Sequence, residues 1–183
     1  MSAMIELVLP AVARSAAATE TPLGRLTVPQ RAVPERRVMV DPEELGRLRD
    51  AARAAATRAH APYSDFTVGA AVIMADDPDR RVFLGANIEN ASYGATICAE
   101  RTAITQAAAA GFRRISVLAV SCTKSLHARL ADRSPCGICR QVIAEFAADQ
   151  PPTLVLVDSG EEGTLGDILD LDRLLPYAFR LEG

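Results

Sequence analysis

Three cysteines, placed where two separate helices should begin, narrow the folds open to this chain more than its composition does. One stretch reads Cys98-Ala99-Glu100 and the other Pro135-Cys136-Gly137-Ile138-Cys139. A thiol at a helix N-terminus feels the positive end of the backbone dipole and is pushed towards thiolate, the form that binds metals. Cys136 and Cys139 are three apart on a predicted helix, so both sulfurs can face one point, and Gly137 between them lets the backbone approach closely. If Cys98 joins them, two helix starts far apart in the chain must converge, and the other elements have to be arranged around that meeting.

Zinc suits three thiolates in a tetrahedral site, and three protein ligands leave a fourth position to water, the arrangement of a catalytic rather than a structural centre. Two other readings of the thiols stay open. Cys122 could complete a structural four-cysteine site, although it ends a predicted strand with no partner at knuckle spacing. Cys136 and Cys139 could instead form a redox pair, which leaves Cys98 and Glu100 without a role. Glu100, inside the first turn of its helix, need not touch the metal to reach water held there, and it is the candidate to carry protons. A first-turn Glu can also do no more than favour the helix dipole. Three thiolates leave a divalent ion with excess negative charge, so a cation is expected beside them. Arg101 and Arg140 are the candidates to donate to a sulfur, Arg101 ahead of Arg140. The two histidines, His60 and His127, are expected in surface or capping roles.

The 183 residues are enough for one domain with a real core and some excess at an end. With 49% hydrophobic and 23% charged residues the chain is not disordered as a whole. The net charge is −3 and the 20 Lys and Arg are scattered, so no basic surface offers counterion release and no nucleic-acid partner is expected. Residues 4 to 12 are the only apolar stretch near the start, and Glu6 interrupts them, so no secretory leader is read. No run approaches bilayer length and no membrane association is expected. These features together predict a cytoplasmic protein whose thiols are reduced or on a metal.

Residues 1 to 38 carry Pro22, Pro29 and Pro34 and no sustained period, and read as a loosely ordered extension of unknown role; residues 39 to 183 read as the folded domain. A helix follows, with Asp41 placed to cap it, Pro42 at its first position and Glu43 and Glu44 in its first turn. Leu45, Leu48, Ala52, Ala55 and Ala59 give it one apolar stripe, and it should end near His60. Strands are predicted over 66–74, 82–88, 115–121 and 153–157, the first two as a hairpin, and helices over 97–110 and 136–148, with Gly111 as a C-cap. Helices alternating with apolar strands in the second half predict an α/β layered fold with parallel later strands.

Longer matches then become visible: Ala61-Pro62-Tyr63-Ser64-Asp65-Phe66, Gly85-Ala86-Asn87-Ile88-Glu89-Asn90-Ala91-Ser92-Tyr93, Ile97-Cys98-Ala99-Glu100-Arg101-Thr102-Ala103-Ile104, Ser134-Pro135-Cys136-Gly137-Ile138-Cys139-Arg140-Gln141 and Leu174-Leu175-Pro176-Tyr177-Ala178-Phe179. In these the chain resembles the small, homotetrameric zinc-dependent cytidine deaminases, over about residues 41 to 180. The resemblance implies a three-layer α/β/α fold whose five-stranded mixed sheet is flanked by helices. It implies zinc on Cys98, Cys136 and Cys139, with Glu100 as the proton carrier in hydrolytic deamination of cytidine and deoxycytidine, a step of pyrimidine salvage. It also implies that Asn87 and Glu89 grip the ribose, in keeping with an extended segment that turns alternate residues to one side. Phe66 would lie against the pyrimidine ring, and Phe179 would enter the active site of a neighbouring subunit, which couples assembly to catalysis.

Three rival readings remain. A deaminase of aminonucleosides such as blasticidin S uses a similar zinc motif, but its sugar-binding segment departs from the Asn87 to Tyr93 pattern. An RNA- or DNA-editing deaminase wants a basic, aromatic-lined channel, which this acidic chain lacks. A non-enzymatic zinc-stabilised module would hold its metal with four protein ligands.

Overall fold

The computed structural model describes residues 3–12, 19–22, 24–26, 32–176 and 178–181. Tyr177 and parts of the 1–38 segment lie outside them. The chain forms two compact units that part between Asp41 and Pro42.

In the first unit β1 (Ile5–Leu9) pairs antiparallel with β4 (Arg36–Val40), and β2 (Thr19–Thr21) with β3 (Gly24–Leu26). Across the β1–β4 pair Arg37 bonds Glu6 at 3.1 Å. Patterning predicted no regular element here. These strands are only three to five residues long, too short to show a period, and β1 is completed by residues about thirty positions away.

The second unit begins with α1 (Pro42–Ala56), whose buried face is Leu45, Leu48, Ala52, Ala55 and Ala56. The regular helix stops four residues before His60. Thr57, Arg58 and Ala59 bond back three residues rather than four, tightening the last turn. β5 (Val68–Met74), β6 (Val82–Ala86), β7 (Ile115–Cys122), β8 (Leu154–Val157) and β9 (Asp167–Asp170) form one sheet in the order β6-β5-β7-β8-β9. Only β7 and β8 run parallel. The fifth strand, Asp-Ile-Leu-Asp, escaped the hydropathy reading because just two apolar residues stand between its aspartates. Asp170 ends it and caps α5 (Leu171–Leu174) by accepting from the Arg173 N–H at 3.0 Å.

Two glycines show how the layers are stacked. A Cβ on Gly69 would lie 2.0 Å from the Ala52 carbonyl oxygen of α1, and one on Gly85 would lie 2.2 Å from that of Ala99, the first residue of α2 (Ala99–Ala109). Gly85 pairs with Ala70, the neighbour of Gly69. Successive residues of a strand face opposite ways and paired residues face the same way, so α1 and α2 cover opposite faces. Val68, Ala70, Val72 and Met74 of β5 join the core on the α2 side, together with Ile143 of α4 (Gly137–Glu145) and Leu171 and Leu174 of α5. The architecture is α/β/α in three layers, and every residue of β5, an interior strand, is buried. Helix α2 ends as the sequence implied: Gly111 takes φ +103° and the Phe112 N–H reaches back to the Ala107 carbonyl. Among the described residues no helix is long and apolar enough to cross a membrane.

Candidate active site

Cys98 is the N-cap of α2 and Cys136 the N-cap of α4, and neither sulfur bonds the backbone of its own helix. Both are free to turn towards a common point. Cys139, one turn into α4, is fully buried. The three Sγ atoms lie within 4.8 Å of one another, with Cys98 to Cys136 at 3.9 Å and Cys136 to Cys139 at 3.6 Å. A disulfide would bring two sulfurs to about 2.05 Å. Tetrahedral zinc, with Zn–S bonds of about 2.3 Å, spaces its thiolates about 3.8 Å apart. The donor set and its spacing therefore fit zinc. Cys122 stands apart from this triangle: its thiol donates to the Arg133 carbonyl at 3.5 Å, and burial pushes it up to about 12.

Charge at the triangle is unevenly shared. Hydrogen bonds from the thiols of Cys139 and Cys136 and from the Arg101 guanidinium draw the Cys98 thiol down to about 5, against its burial. The Cys98 sulfur in turn pushes the Cys139 thiol up. Arg101 also donates from one Nη to the Thr96 carbonyl at 2.7 Å, while its buried Nε–H has no hydrogen-bond partner among the described residues. Arg140, the second candidate, turns elsewhere, its Nε donating to the Pro135 carbonyl at 2.7 Å and one Nη to that of Leu174 at 3.3 Å. It braces the entry to α4 rather than a sulfur. Glu100 is 4% exposed and lies beside the triangle, close enough for Cys98, Cys139 and Arg101 to act on its carboxyl. Burial pushes that carboxyl up to about 7, and the charge on Cys98 acts in the same direction.

The segment Asn87-Ile88-Glu89 runs extended beside this triangle. Its backbone is stitched to His60 on one side and to Ile97, the neighbour of Cys98, on the other. Ile88 points outward and Asn87 is buried. The Asn87 amide is engaged at both ends: its Oδ1 accepts from the Val68 N–H at 2.7 Å and its Nδ2 donates to the Phe66 carbonyl at 2.8 Å. Glu89 is held as firmly. It accepts from the backbone N–H groups of Tyr63 at 2.8 Å and Ser64 at 3.3 Å and from the Ser64 hydroxyl. The Ser64 hydroxyl and the Tyr63 N–H keep its carboxyl below the usual range. Ser64 was not singled out from the sequence, though it stands in the Ala61 to Phe66 stretch; only the fold shows that its hydroxyl reaches 25 positions along the chain.

Phe66 is partly buried against the core, two residues before β5. Phe179 lies beside α4. Its backbone is clamped by the Gln141 amide, which donates to the Phe179 carbonyl at 2.8 Å and accepts from its N–H at 3.2 Å, while the residue stays 68% exposed.

Comparison with known proteins agrees with this geometry. The family model of the cytidine and deoxycytidylate deaminase zinc-binding region matches residues 42–154. A cytidine deaminase from Halalkalibacterium halodurans is 42% identical over 128 residues, which are 68% of this chain and 85% of that protein. One from Mycobacterium tuberculosis is 38% identical over 135 residues, 74% of this chain and 89% of that protein. In three dimensions the chain is similar to the crystal structure of cytidine deaminase from Burkholderia pseudomallei, with a TM-score of 0.60 at 41% identity, over 73% of this chain and 97% of that one.

Proposed function

The chain belongs to the cytidine and deoxycytidylate deaminase family, and from that membership we propose a division of labour among its residues. It is a zinc-dependent enzyme that removes the amino group of cytidine by hydrolysis. The observation that carries the assignment of roles is the closing of three thiols to within 4.8 Å beside a buried glutamate. When bound by Cys98, Cys136 and Cys139, zinc supplies the Lewis acidity that makes water a nucleophile near neutral pH.

Glu100 takes a proton from the attacking water and delivers protons to the pyrimidine ring nitrogen and to the departing amine. One water is consumed, one ammonia leaves, and the amino group becomes an oxo group. Arg101, bonded to Cys98, draws charge off the sulfurs. Phe66 lies against the pyrimidine. Asn87 and Glu89 hold the sugar; each keeps hydrogen-bonding capacity beyond the bonds that orient it. Deoxycytidine is a substrate on the same footing.

Phe179 completes the pocket of a neighbouring subunit in a homotetramer. The exposed ring on a clamped backbone supports this, as do the exposed Ile138 on α4 and Tyr93 after the sugar-binding segment. Residues 39–183 form the deaminase domain, and residues 1–38 are an extension outside the chemistry. We place the enzyme in the cytoplasm, in pyrimidine salvage.

The decisive assay follows the ultraviolet change as cytidine becomes uridine, with and without a chelator. Conversion that a chelator abolishes and added zinc restores is expected. No conversion by zinc-loaded protein would sink the assignment.

A further inference from the structure

Cys136 is the most exposed of the three thiols and is brought to the triangle by a long connection, residues 123–135, that carries only the single turn α3 (Leu130–Arg133). Such a connection is mobile unless it is tied down, yet a zinc site needs each donor held to a fraction of an ångström. The tie is Arg133, a side chain that reaches across the edge of the sheet.

Arg133 is 8% exposed. Its Nε donates to the Ala128 carbonyl at 3.0 Å, closing the connection on itself. One Nη donates to the carbonyls of Val157 at 3.3 Å and Asp158 at 3.1 Å, where β8 ends. The other Nη pairs with the carboxylate of Asp167, the first residue of β9. Meanwhile the Arg133 carbonyl accepts the Cys122 thiol at the end of β7. Three adjacent strands thus grip a residue three positions before the sulfur. The flat, five-donor fork suits these divergent acceptors, whereas a lysine ammonium could reach only some of them.

We propose that Arg133 is a positioning residue for the metal, holding Cys136 where the other two sulfurs meet so that zinc finds its third thiolate already placed. This rests on the reading of Cys136 as a ligand. It goes beyond that reading in assigning zinc retention to a residue that touches neither the metal nor a sulfur side chain of the triangle.

The test compares wild type with Arg133→Met, Arg133→Lys and Asp167→Asn. Zinc affinity is read by chelator competition, the cobalt-substituted forms by their thiolate-to-metal absorption, and melting by scans with and without zinc. Wild type should bind tightly. Arg133→Met should bind about tenfold or more weakly, in the range found when groups that orient metal ligands are removed. Arg133→Lys and Asp167→Asn should fall between. The thiolate-to-metal absorption of Arg133→Met should weaken, and the gain in melting temperature on adding zinc should shrink. Unchanged affinity and absorption, with melting lowered equally with and without zinc, would overturn the proposal and leave Arg133 a purely structural residue. Should Arg133→Met fail to fold, Asp167→Asn decides alone, since its carboxylate lies at the exposed end of the anchor. A wild-type chain that takes up no metal would instead refute the thiol triangle.

Discussion

Their surroundings shift the carboxyls of Glu89 and Glu100 in opposite directions. Around Glu89 three donors from Tyr63 and Ser64 favour the carboxylate, which suits a group that must accept from a hydroxyl. Around Glu100 burial favours the acid, which suits a group that must hold and release protons. Glu100→Gln keeps the shape and removes the proton chemistry. That variant should retain zinc at the wild-type stoichiometry and lose about 10²- to 10⁴-fold in kcat, measured by metal analysis alongside the ultraviolet assay. Normal turnover would remove Glu100 from the mechanism. The site residues that could be read from the sequence are those packed into short motifs, such as Cys98 with Glu100, or Cys136 with Cys139. Ser64 and Arg133 could not be, since the partners that give them their roles, Glu89 for Ser64 and the β8 and β9 groups for Arg133, lie 24 to 34 positions away.

Among the elements, helices α1, α2 and α4 and the first four strands of the sheet were legible because each shows an apolar stripe or a nearly unbroken apolar run between turn residues. β9 and the strands of residues 1–41 were not, since each is completed by pairing rather than by its own composition. The seam between α1 and the sheet holds an ion pair whose carboxylate is buried. Asp158 is 2% exposed and accepts a two-pronged bond from Arg53 at 2.6 and 2.7 Å, the Ser121 hydroxyl at 2.7 Å and the Gly160 N–H at 3.0 Å. Burial opposes its ionisation, but the Arg53, Ser121 and Gly160 donors prevail and hold the carboxyl below the usual range. A depressed folded pKa stabilises the protein above the unfolded value of about 3.9, and that contribution fades as pH falls through the folded value. Asp158→Asn should therefore cost about 1.5–3 kcal/mol at neutral pH. The gap in melting temperature from wild type should narrow below about pH 4. A gap that stays constant down to pH 3 would show that the charge contributes nothing.

At the scale of the whole molecule the chemistry is confined to one compact unit. The thiols, Glu100 and the segment proposed to hold the sugar all lie within residues 42–183, and the family match begins at residue 42. A chain lacking residues 1–38 should keep its zinc content and its kcat/KM for cytidine to within about twofold, a change worth about 0.4 kcal/mol. A larger loss would draw the extension into the working enzyme. Within that unit the buried cluster of sheet, α2, α4 and α5 is largely apolar, and of the three thiols only Cys139 is fully buried. Most of the apolar packing thus stands apart from the ion: a protein starved of zinc would persist, less stable, as an idle reserve, and resupply of the ion, rather than fresh synthesis, would govern how quickly its activity returns.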